Sequence, residues 1–220
     1  MTNLFDVTGK VALITGSTHG LGMAMAKGLG SAGATIVVNG NSSQQKIDEA
    51  VKELKNEGIN AFGYRFNVTD EKEVIEAVKK IESEVGPIAI LINNAGIIKR
   101  IPLLEMEVSD FREVIDIDLV SPFIVSKHVA KGMIERRQGK IINICSMMSE
   151  LGRSTVSAYA AAKGGLKMLT KNMATEWAKY NVQINGIGPG YFATEQTKPI
   201  RVDGHPFNDF IISRTPAAKW

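Results

Sequence analysis

Short runs of apolar residues alternate along the chain with longer stretches in which apolar positions recur at helical spacing. Four of the runs are clear, at residues 11–14, 35–38, 88–92 and 141–144. Two weaker runs of the same kind lie at residues 61–66 and 182–187. The runs are too short for typical helices and nearly continuous in apolar residues, so they predict strands covered on both faces, as in a parallel sheet.

Helical patterns fill the stretches between the runs, at residues 21–32, 44–57, 71–85, 109–137 and 157–180. Pro122 is expected to kink or divide the fourth helix, because proline cannot donate an interior helical hydrogen bond. Asp70 and Ser109 are predicted N-caps. Glycines are placed to end three of the helices: Gly33, Gly58 and Gly86.

The alternation of strand and helix predicts an α/β fold of the Rossmann type, with a doubly wound parallel sheet and helices on both faces. No linker or repeat interrupts the pattern, so residues 1–220 are expected to form one domain. In such sheets ligands bind at the carboxyl ends of the strands. Functional residues are therefore expected directly after the apolar runs.

Composition and charge narrow the class of protein. The chain is 44% apolar and 22% charged, as in ordinary globular proteins, and no apolar run approaches the roughly 18 residues that cross a bilayer. Lys and Arg number 26 against 23 Asp and Glu, so no nucleic-acid partner and no membrane association is expected. The single cysteine, Cys145, and an N-terminus without a signal-like apolar core indicate a cytoplasmic protein without a disulfide or a metal site.

A glycine-rich turn, residues 15–22, joins the first apolar run to the first helical pattern. Gly16, Gly20 and Gly22 allow a sharp turn and let a phosphate approach the backbone. The helix that follows offers unpaired N–H groups and a partial positive charge at its start. A tight turn without a ligand is the alternative, but the placement between strand and helix favours a site for a dinucleotide pyrophosphate.

Tyr159 and Lys163 are four residues apart in a helical stretch, which places both side chains on one face. A neighbouring ammonium stabilises a tyrosinate, which makes tyrosine usable as a general acid or base near neutral pH. Such a pair is common by chance, but Ser146 lies 13 residues before Tyr159, just past an apolar run. Its hydroxyl is a candidate to bind a substrate oxygen. The alternative is a capping or turn serine, with Ser149 as a competitor.

Together these motifs resemble those of the short-chain dehydrogenase/reductase family. The chain has TGxxxGxG at residues 15–22, NNAG at residues 93–96, Ser-x12-Tyr-x3-Lys from Ser146 to Lys163, and PG at residues 189–190. The resemblance extends over nearly the whole chain. It implies a nicotinamide-dependent oxidoreductase in which Tyr159 exchanges a proton with the substrate oxygen. In the family pattern Lys163 would lower the pKa of that tyrosine and bind the nicotinamide ribose, and Ser146 would orient the substrate.

Two positions depart from the family pattern. Asp118 stands where the family usually has an asparagine that supports a proton-relay water, and an ionised Asp cannot donate as an amide does. Its backbone carbonyl can still serve, so Asp118 is predicted as a fourth catalytic residue. Asn67 and Val68 stand where the family usually has Asp-Val near the adenine, and an asparagine can still bind an adenine edge.

The resemblance and the strand ends assign cofactor contacts along the chain, Tyr159 and Lys163 among them. Thr194 corresponds to the residue that often holds the nicotinamide carboxamide. The other assigned residues are Gly16, Thr18, His19, Gly20, Leu21, Gly22, Asn39, Asn41, Ser42, Asn67, Val68, Asn94, Ala95, Gly96, Pro189 and Gly190.

The cofactor is expected to be NADP rather than NAD. NAD enzymes tend to place an acid about 20 residues after the glycine turn, where it binds the ribose 2′-OH. Here no Asp or Glu occurs between Asp6 and Asp48. Asn39, Asn41 and Ser42 can donate to a 2′-phosphate, although no arginine accompanies them in this loop. A neutral polar loop that accepts both cofactors is the alternative.

The substrate is expected to be a sugar acid. Arg100 and Arg153 lie in loops that face the site in the family, beside Ser146 and Tyr159, and arginine binds carboxylates bidentately. Solvated surface arginines are the alternative. Several stretches, residues 156–171 among them, are similar to the gluconate 5-dehydrogenase subgroup, which implies interconversion of D-gluconate and 5-keto-D-gluconate.

Three other functions stay open at this stage. A 2-deoxy-D-gluconate 3-dehydrogenase shares much of the similarity. A 3-oxoacyl carrier-protein reductase would need a basic patch for its carrier, and no clear run of that kind is present. A non-enzymatic nucleotide-binding regulator on the same fold would be expected to lack part of the Ser-Tyr-Lys set.

The resemblance also bears on assembly and on the end of the chain. Family members are usually homotetramers or homodimers, so one of these is expected. Residues 190–220 are expected to form a substrate-loop region. Because the chain stops at Trp220, the final strand of the family is expected to be missing from it.

Overall fold

A computed structural model describes residues 5–220, apart from the side chains of residues 195 and 196. Six strands form one sheet with the order β3-β2-β1-β4-β5-β6, and every neighbouring pair is parallel. The strands are β1 (Val11–Ile14), β2 (Thr35–Gly40), β3 (Ala61–Arg65), β4 (Ile88–Asn93), β5 (Gly139–Ile144) and β6 (Val182–Ile187). All six apolar runs are therefore strands, and the predicted parallel sheet is confirmed.

Helices connect the strands in sequence order. They are α1 (Gly20–Ser31), α2 (Gln44–Asn56), α3 (Glu71–Glu84), α4 (Val108–Ile115), α5 (Ser121–Glu135), α6 (Ser157–Trp177) and α7 (Pro206–Arg214). The chain begins at β1 in the centre of the sheet and adds β2 and β3 towards one edge. It then crosses back to place β4 on the other side of β1 and adds β5 and β6 towards the other edge. This is the doubly wound, Rossmann-type arrangement that the sequence predicted.

Alternate residues of the central strands enter two separate cores, which is why the runs are apolar at nearly every position. In β1, Val11 and Leu13 pack with residues of α3 and α5, whereas Ala12 and Ile14 pack with residues of α1 and α2. Helices therefore cover both faces of the sheet, as predicted.

Helix boundaries confirm some of the predicted signals and correct others. Asp70 caps α3, accepting from the backbone N–H groups of Lys72 (2.8 Å) and Glu73 (3.1 Å). The N-cap of α4 is Glu107, so the prediction of Ser109 is wrong; Ser109 lies inside the first turn. The three glycines expected at helix ends all have positive φ: Gly33, Gly58 and Gly86.

The long fourth helix is divided next to Pro122, as predicted. A π-helical segment, Asp116–Val120, separates α4 from α5, and Pro122 lies in the first turn of α5. Proline has no N–H to donate to the preceding turn, so regular α-helical hydrogen bonding is interrupted there. The extra residue of the π-helical segment turns Asp118 into the interior, where its side chain is completely buried.

The chain divides into two compact units, one ending at Gly188 and one comprising residues 189–220. The second unit contains α7 and an aromatic cluster in which Tyr191 contacts Phe207 and Trp220 edge to face. It coincides closely with the predicted substrate-loop region; the prediction of a single domain stays a prediction. None of the helices described in residues 5–220 is long and apolar enough to cross a membrane.

Candidate active site

The glycine turn between β1 and α1 is held from the side by the segment that follows β4. Asn94 donates through Nδ2 to the carbonyls of Thr15 and Gly16, both at 2.9 Å. Thr15 Oγ1 accepts from the backbone N–H groups of Asn94 (2.9 Å) and Ala95 (3.0 Å). Gly16 has a φ of 60°, and a Cβ there would lie 2.9 Å from the Ala95 Cα. The turn is therefore rigid before any ligand binds.

The start of α1 is open to an anion. Gly20, Leu21 and Gly22 form its first turn, which contains no acidic residue. His19 precedes the helix, and its ring nitrogen lies 3.1 Å from Thr18 Oγ1. Unpaired N–H groups at a helix start stabilise a phosphate, so the structure brings the predicted pyrophosphate residues together in one place.

Asn39, near the end of β2, is buried, and its side-chain amide bonds to the protein backbone. Its Oδ1 accepts from the Gly16 N–H (3.2 Å), and its Nδ2 donates to the Phe66 carbonyl (3.0 Å). The side chain thus ties the glycine turn to the end of β3, a positioning role that sequence reasoning did not identify. The direct cofactor contact predicted for Asn39 stays a prediction, whereas Asn41 and Ser42 beyond it are exposed.

The predicted adenine residues lie between β3 and α3. Asn67 Oδ1 accepts from the backbone N–H (3.1 Å) and hydroxyl (2.9 Å) of Thr69. The backbone N–H of Asn67 donates to Glu73 Oε2 at 2.7 Å. Val68 is buried in the core beside it. This arrangement leaves the Asn67 amide nitrogen as the group suited to an adenine edge.

Helix α6 places Tyr159 and Lys163 one turn apart, as predicted. Lys163 is buried, its Nζ donates to the Ile144 carbonyl (2.9 Å), and Nζ lies 5.6 Å from the centre of the Tyr159 ring. The Tyr159 ring is half-buried against a small apolar cluster that includes Val114. A fixed cation therefore stands beside the phenol, as an acid–base tyrosine requires.

Asp118 is a second buried partner of Lys163. Its Oδ2 lies 3.2 Å from Lys163 Nζ without hydrogen-bond geometry, so within the described residues the contact is electrostatic. Its Oδ1 accepts from the Ile97 N–H at 2.8 Å, and Gly96 lies directly against the carboxylate. Burial raises the pKa of the Asp118 carboxyl, with the Lys163 charge opposing that effect. Its side chain thus positions Lys163 and the loop after β4.

Ser146 and Ser149 form one hydrogen-bonded turn after β5. Ser146 Oγ accepts from the Met148 N–H (3.1 Å), and the Ser146 N–H donates to Ser149 Oγ (3.2 Å). Ser149 Oγ in turn donates to the Lys163 carbonyl (2.9 Å), which commits its proton to the backbone. Ser146 is thus a capping serine whose hydroxyl accepts one bond and retains a proton to donate. This distinguishes it from its competitor.

The two loops that carry the predicted substrate arginines are joined. The Ile101 N–H donates to the Thr155 carbonyl at 2.9 Å, which links the loop of exposed Arg100 to the loop of half-buried Arg153. Lys99 is engaged elsewhere, in ion pairs with two acids of α4. The structure therefore brings the two arginine-bearing loops together, and their predicted contacts with the substrate stay predictions.

Three predicted cofactor residues belong to the second unit, namely Pro189, Gly190 and Thr194. The Thr194 N–H donates to Thr197 Oγ1 (2.9 Å), and Thr194 precedes a short 3₁₀ helix, Glu195–Ile200. Their cofactor roles stay predictions.

A buried polar network beneath the site was missed from the sequence. Asn93 Nδ2 donates to Asn143 Oδ1 (2.7 Å) and Ser126 Oγ (2.8 Å), and Asn143 Nδ2 donates to Thr170 Oγ1 (2.8 Å). These bonds tie the ends of β4 and β5 to α5 and α6. The signal was present in the sequence, since Asn143 interrupts an otherwise apolar run.

Comparisons with known proteins agree with this geometry. The family model described as short chain dehydrogenase matches residues 10–204. A 2-dehydro-3-deoxy-D-gluconate 5-dehydrogenase from Formosa agariphila is 81% identical over 99% of this chain and 83% of its own length. A 5-keto-D-gluconate 5-reductase from Escherichia coli K12 is 47% identical over 100% of this chain and 86% of its own length.

A solved structure extends the likeness to three dimensions. It is a gluconate 5-dehydrogenase from Burkholderia cenocepacia in complex with NADP and tartrate, 44% identical to this chain. The match has a TM-score of 0.93 and covers 98% of this chain and 84% of the other.

Proposed function

This chain belongs to the short-chain dehydrogenase family, and on that basis we propose that it interconverts the hydroxyl and ketone at C5 of a six-carbon sugar acid with NADP(H). It is an NAD(P)-dependent oxidoreductase by its family and relatives. The observation that carries the proposal is the buried Lys163 ammonium, which lies 5.6 Å from the centre of the Tyr159 ring and is held by the carbonyl of Ile144 at the end of β5. Ser146 begins the turn that follows β5. The named relatives in the comparison share the C5 position, and one of them holds NADP.

The residues of this chain fit such a cofactor. The open start of α1 and the rigid glycine turn suit a pyrophosphate, and Lys163 together with Tyr159 would hold the nicotinamide ribose. When bound, the nicotinamide supplies or accepts the hydride. The protein contributes position and electrostatics around it.

Proton transfer falls to Tyr159. In the oxidising direction the substrate hydroxyl gives its proton to the Tyr159 oxygen, while the carbon that bears this hydroxyl loses a hydride. Reduction reverses both transfers. The Lys163 ammonium stabilises the phenolate form, and it is held in place by the Ile144 carbonyl and the Asp118 carboxylate. Ser146 donates its remaining proton to the substrate oxygen and so stabilises the ketone as charge develops on that oxygen.

Two sugar acids are favoured by different observations. The 81% identity to a 2-dehydro-3-deoxy-D-gluconate 5-dehydrogenase favours that keto acid, while the relatives that act on gluconate or 5-keto-D-gluconate are 47% and 44% identical. Both substrates present a carboxylate, for which Arg100 and Arg153 are the proposed partners.

Steady-state assays of the purified chain test the proposal. The substrates are 2-dehydro-3-deoxy-D-gluconate, D-gluconate, 2-deoxy-D-gluconate, an uncharged polyol and, in the reducing direction, acetoacetyl thioester, each with NADP(H) and NAD(H). We expect the highest kcat/KM for one of the first two with the phosphorylated cofactor. Preferred use of the thioester would favour a carrier-protein reductase. Absence of turnover with every pair would contradict the enzyme proposal.

We also propose a cytoplasmic homotetramer or homodimer. The nicotinamide cofactor and the single free cysteine, Cys145, suit a reducing compartment. Helices α4 and α5 expose large apolar side chains, among them Val108, Phe111 and Phe123, which supports assembly through these helices. Light scattering of the purified chain gives the mass that decides between these states and a monomer.

A further inference from the structure

Arg65 ends β3, directly opposite Gly40 at the end of β2. Its Nε donates to the Asn41 carbonyl at 2.9 Å, so the side chain reaches across from β3 into the loop that follows β2. The residue is exposed and takes part in none of the ion pairs among residues 5–220. A guanidinium has five N–H donors, and the bond to Asn41 uses only one of them.

The end of β2 is also in contact with the glycine turn. A Cβ placed on Gly40 would lie 3.0 Å from Thr18 Cγ2 in that turn. Gly40 and Asn41 therefore lie between the pyrophosphate site and Arg65. In dinucleotide-binding folds this is the place of the adenosine ribose, where NAD enzymes put an acid for the 2′-OH.

The loop at the end of β2, residues 39–43, carries no acidic side chain that would repel an added phosphate, although the Glu73 carboxylate lies nearby on α3, where it accepts from the Asn67 N–H. Gly40 contributes no side chain, and Asn41 and Ser42 are exposed neutral donors. Arg65 supplies the cation that the loop itself lacks. It lies 24 residues from Asn41 in sequence and reaches the loop from the neighbouring strand. The sequence prediction found no arginine beside the loop, and strand pairing brings this one there.

We propose that Arg65 binds the 2′-phosphate of NADP and thereby sets the preference for NADP over NAD. The proposal rests on the cofactor use proposed above. A planar guanidinium anchored through Nε presents its terminal nitrogens as a fork that matches phosphate oxygens. The bond to the Asn41 carbonyl orients that fork, so Arg65 acts as a specificity-determining residue without contacting the reacting atoms.

The test compares Arg65→Gln and Arg65→Lys with the wild type and with Arg137→Gln as the matched control, because Arg137 is also exposed and also donates to a backbone carbonyl, that of Lys179. Loss of one charge-assisted phosphate contact at an exposed site should lower kcat/KM for NADP about tenfold. The value for NAD should change less than twofold, and Arg65→Lys should recover part of the loss. Equal changes with both cofactors, or no change with NADP, would overturn the proposal.

Equilibrium binding separates this proposal from the proposed function. Calorimetric titration with 2′,5′-ADP and with 5′-AMP reads the 2′-phosphate contact without any sugar substrate or turnover. We expect the wild type to bind 2′,5′-ADP more tightly, and Arg65→Gln to lose most of that difference. If the sugar-acid assays fail while this difference is seen, the function is wrong and the Arg65 site stands. A wild type that does not distinguish the two nucleotides, or an Arg65→Gln variant that still does, overturns the site.

Discussion

At the scale of single residues, the proposed site depends on one cation, the Lys163 ammonium, which is buried and held by two contacts. Lys163 is fixed by the Ile144 carbonyl, by the Asp118 carboxylate and by its own buried position on α6. The proton transfer proposed for Tyr159 depends on this fixed cation beside its ring.

Removing the Tyr159 hydroxyl tests this directly. In Tyr159→Phe the ring still packs against the Val114 cluster, so the fold and NADP binding should be kept. Turnover should fall by at least the roughly 10² associated with a lost general acid or base. Stopped-flow assays for turnover and fluorescence titration for NADP measure the two effects. Near-normal turnover in this variant would contradict the assignment of Tyr159.

Asp118 predicts a pH dependence of stability. Burial raises the pKa of its carboxyl above the ordinary 3.8, so the folded chain holds this proton more tightly than the unfolded chain. The contribution is then fully present below the ordinary value, and it is lost as the pH rises through the raised pKa. The free energy of unfolding of the wild type, minus that of Asp118→Asn, should therefore decrease from acidic to neutral pH, by about 1.4 kcal/mol per pH unit between the two pKa values.

Urea unfolding of both chains between acidic and neutral pH measures this difference. Asp116→Asn is the matched control, since Asp116 lies in the same π-helical segment with an exposed side chain. A difference that stays constant, or that grows as the pH rises, would contradict the raised pKa of Asp118.

Among single residues, the sequence could predict those that belong to a motif at a strand end. Tyr159, Lys163 and Ser146 were predicted because spacing and strand position agreed, and their catalytic roles stay predictions. The inward orientation of Asn39 depends on β3, which the local sequence does not specify. The proposed role of Arg65 could not be predicted for the same reason, because strand pairing rather than local spacing brings it to the β2 loop.

At the scale of elements, α1 illustrates how one helix serves two purposes. Its first turn carries the proposed pyrophosphate site and is packed against the glycine turn and Asn94, whereas its middle faces solvent at Gly28. Two of the four glycines of this helix, Gly22 and Gly28, should therefore respond in opposite ways to the same substitution.

A Cβ on Gly22 would lie 2.6 Å from the Gly16 carbonyl oxygen and 2.7 Å from Asn94 Nδ2. Gly22→Ala should lower the free energy of unfolding by about 1–3 kcal/mol, as overpacking does, and weaken NADP binding. A Cβ on Gly28 meets nothing within 4 Å. Gly28→Ala should raise stability by about 0.5–1 kcal/mol through helix propensity. Urea unfolding of both variants checks the signs, and a neutral Gly22→Ala would show that the turn can yield.

Element types and most of their bounds followed from hydrophobic pattern, because a doubly covered sheet makes each strand a continuous apolar run. A division of the fourth helix was predicted at Pro122, but its form was not. It is a π-helical segment in which Asp118 is buried against Lys163 and the Ile97 N–H. A contact between distant parts of the chain of this kind leaves no local pattern.

At the scale of the whole molecule, cofactor binding should raise stability by mass action. A ligand that binds only the folded chain contributes about 2.7 kcal/mol at a hundred times its Kd. At equal concentrations NADP should therefore raise the melting temperature more than NAD does. Differential scanning fluorimetry measures the shift, with Arg65→Gln as the variant expected to lose the difference. Equal shifts with both cofactors in the wild type would contradict NADP preference.

The order of the sheet also has a consequence for synthesis. The central strand β1 pairs with β2 soon after both are made, but its other neighbour, β4, begins only at Ile88. Until then a nascent chain presents the most apolar strand of the sheet as an open edge, the kind of edge that pairs with other chains. Truncated products that end before β4 should therefore aggregate. Once residues up to Asn93 have emerged from the ribosome, β4 can pair with β1 and the open edge of β1 is covered.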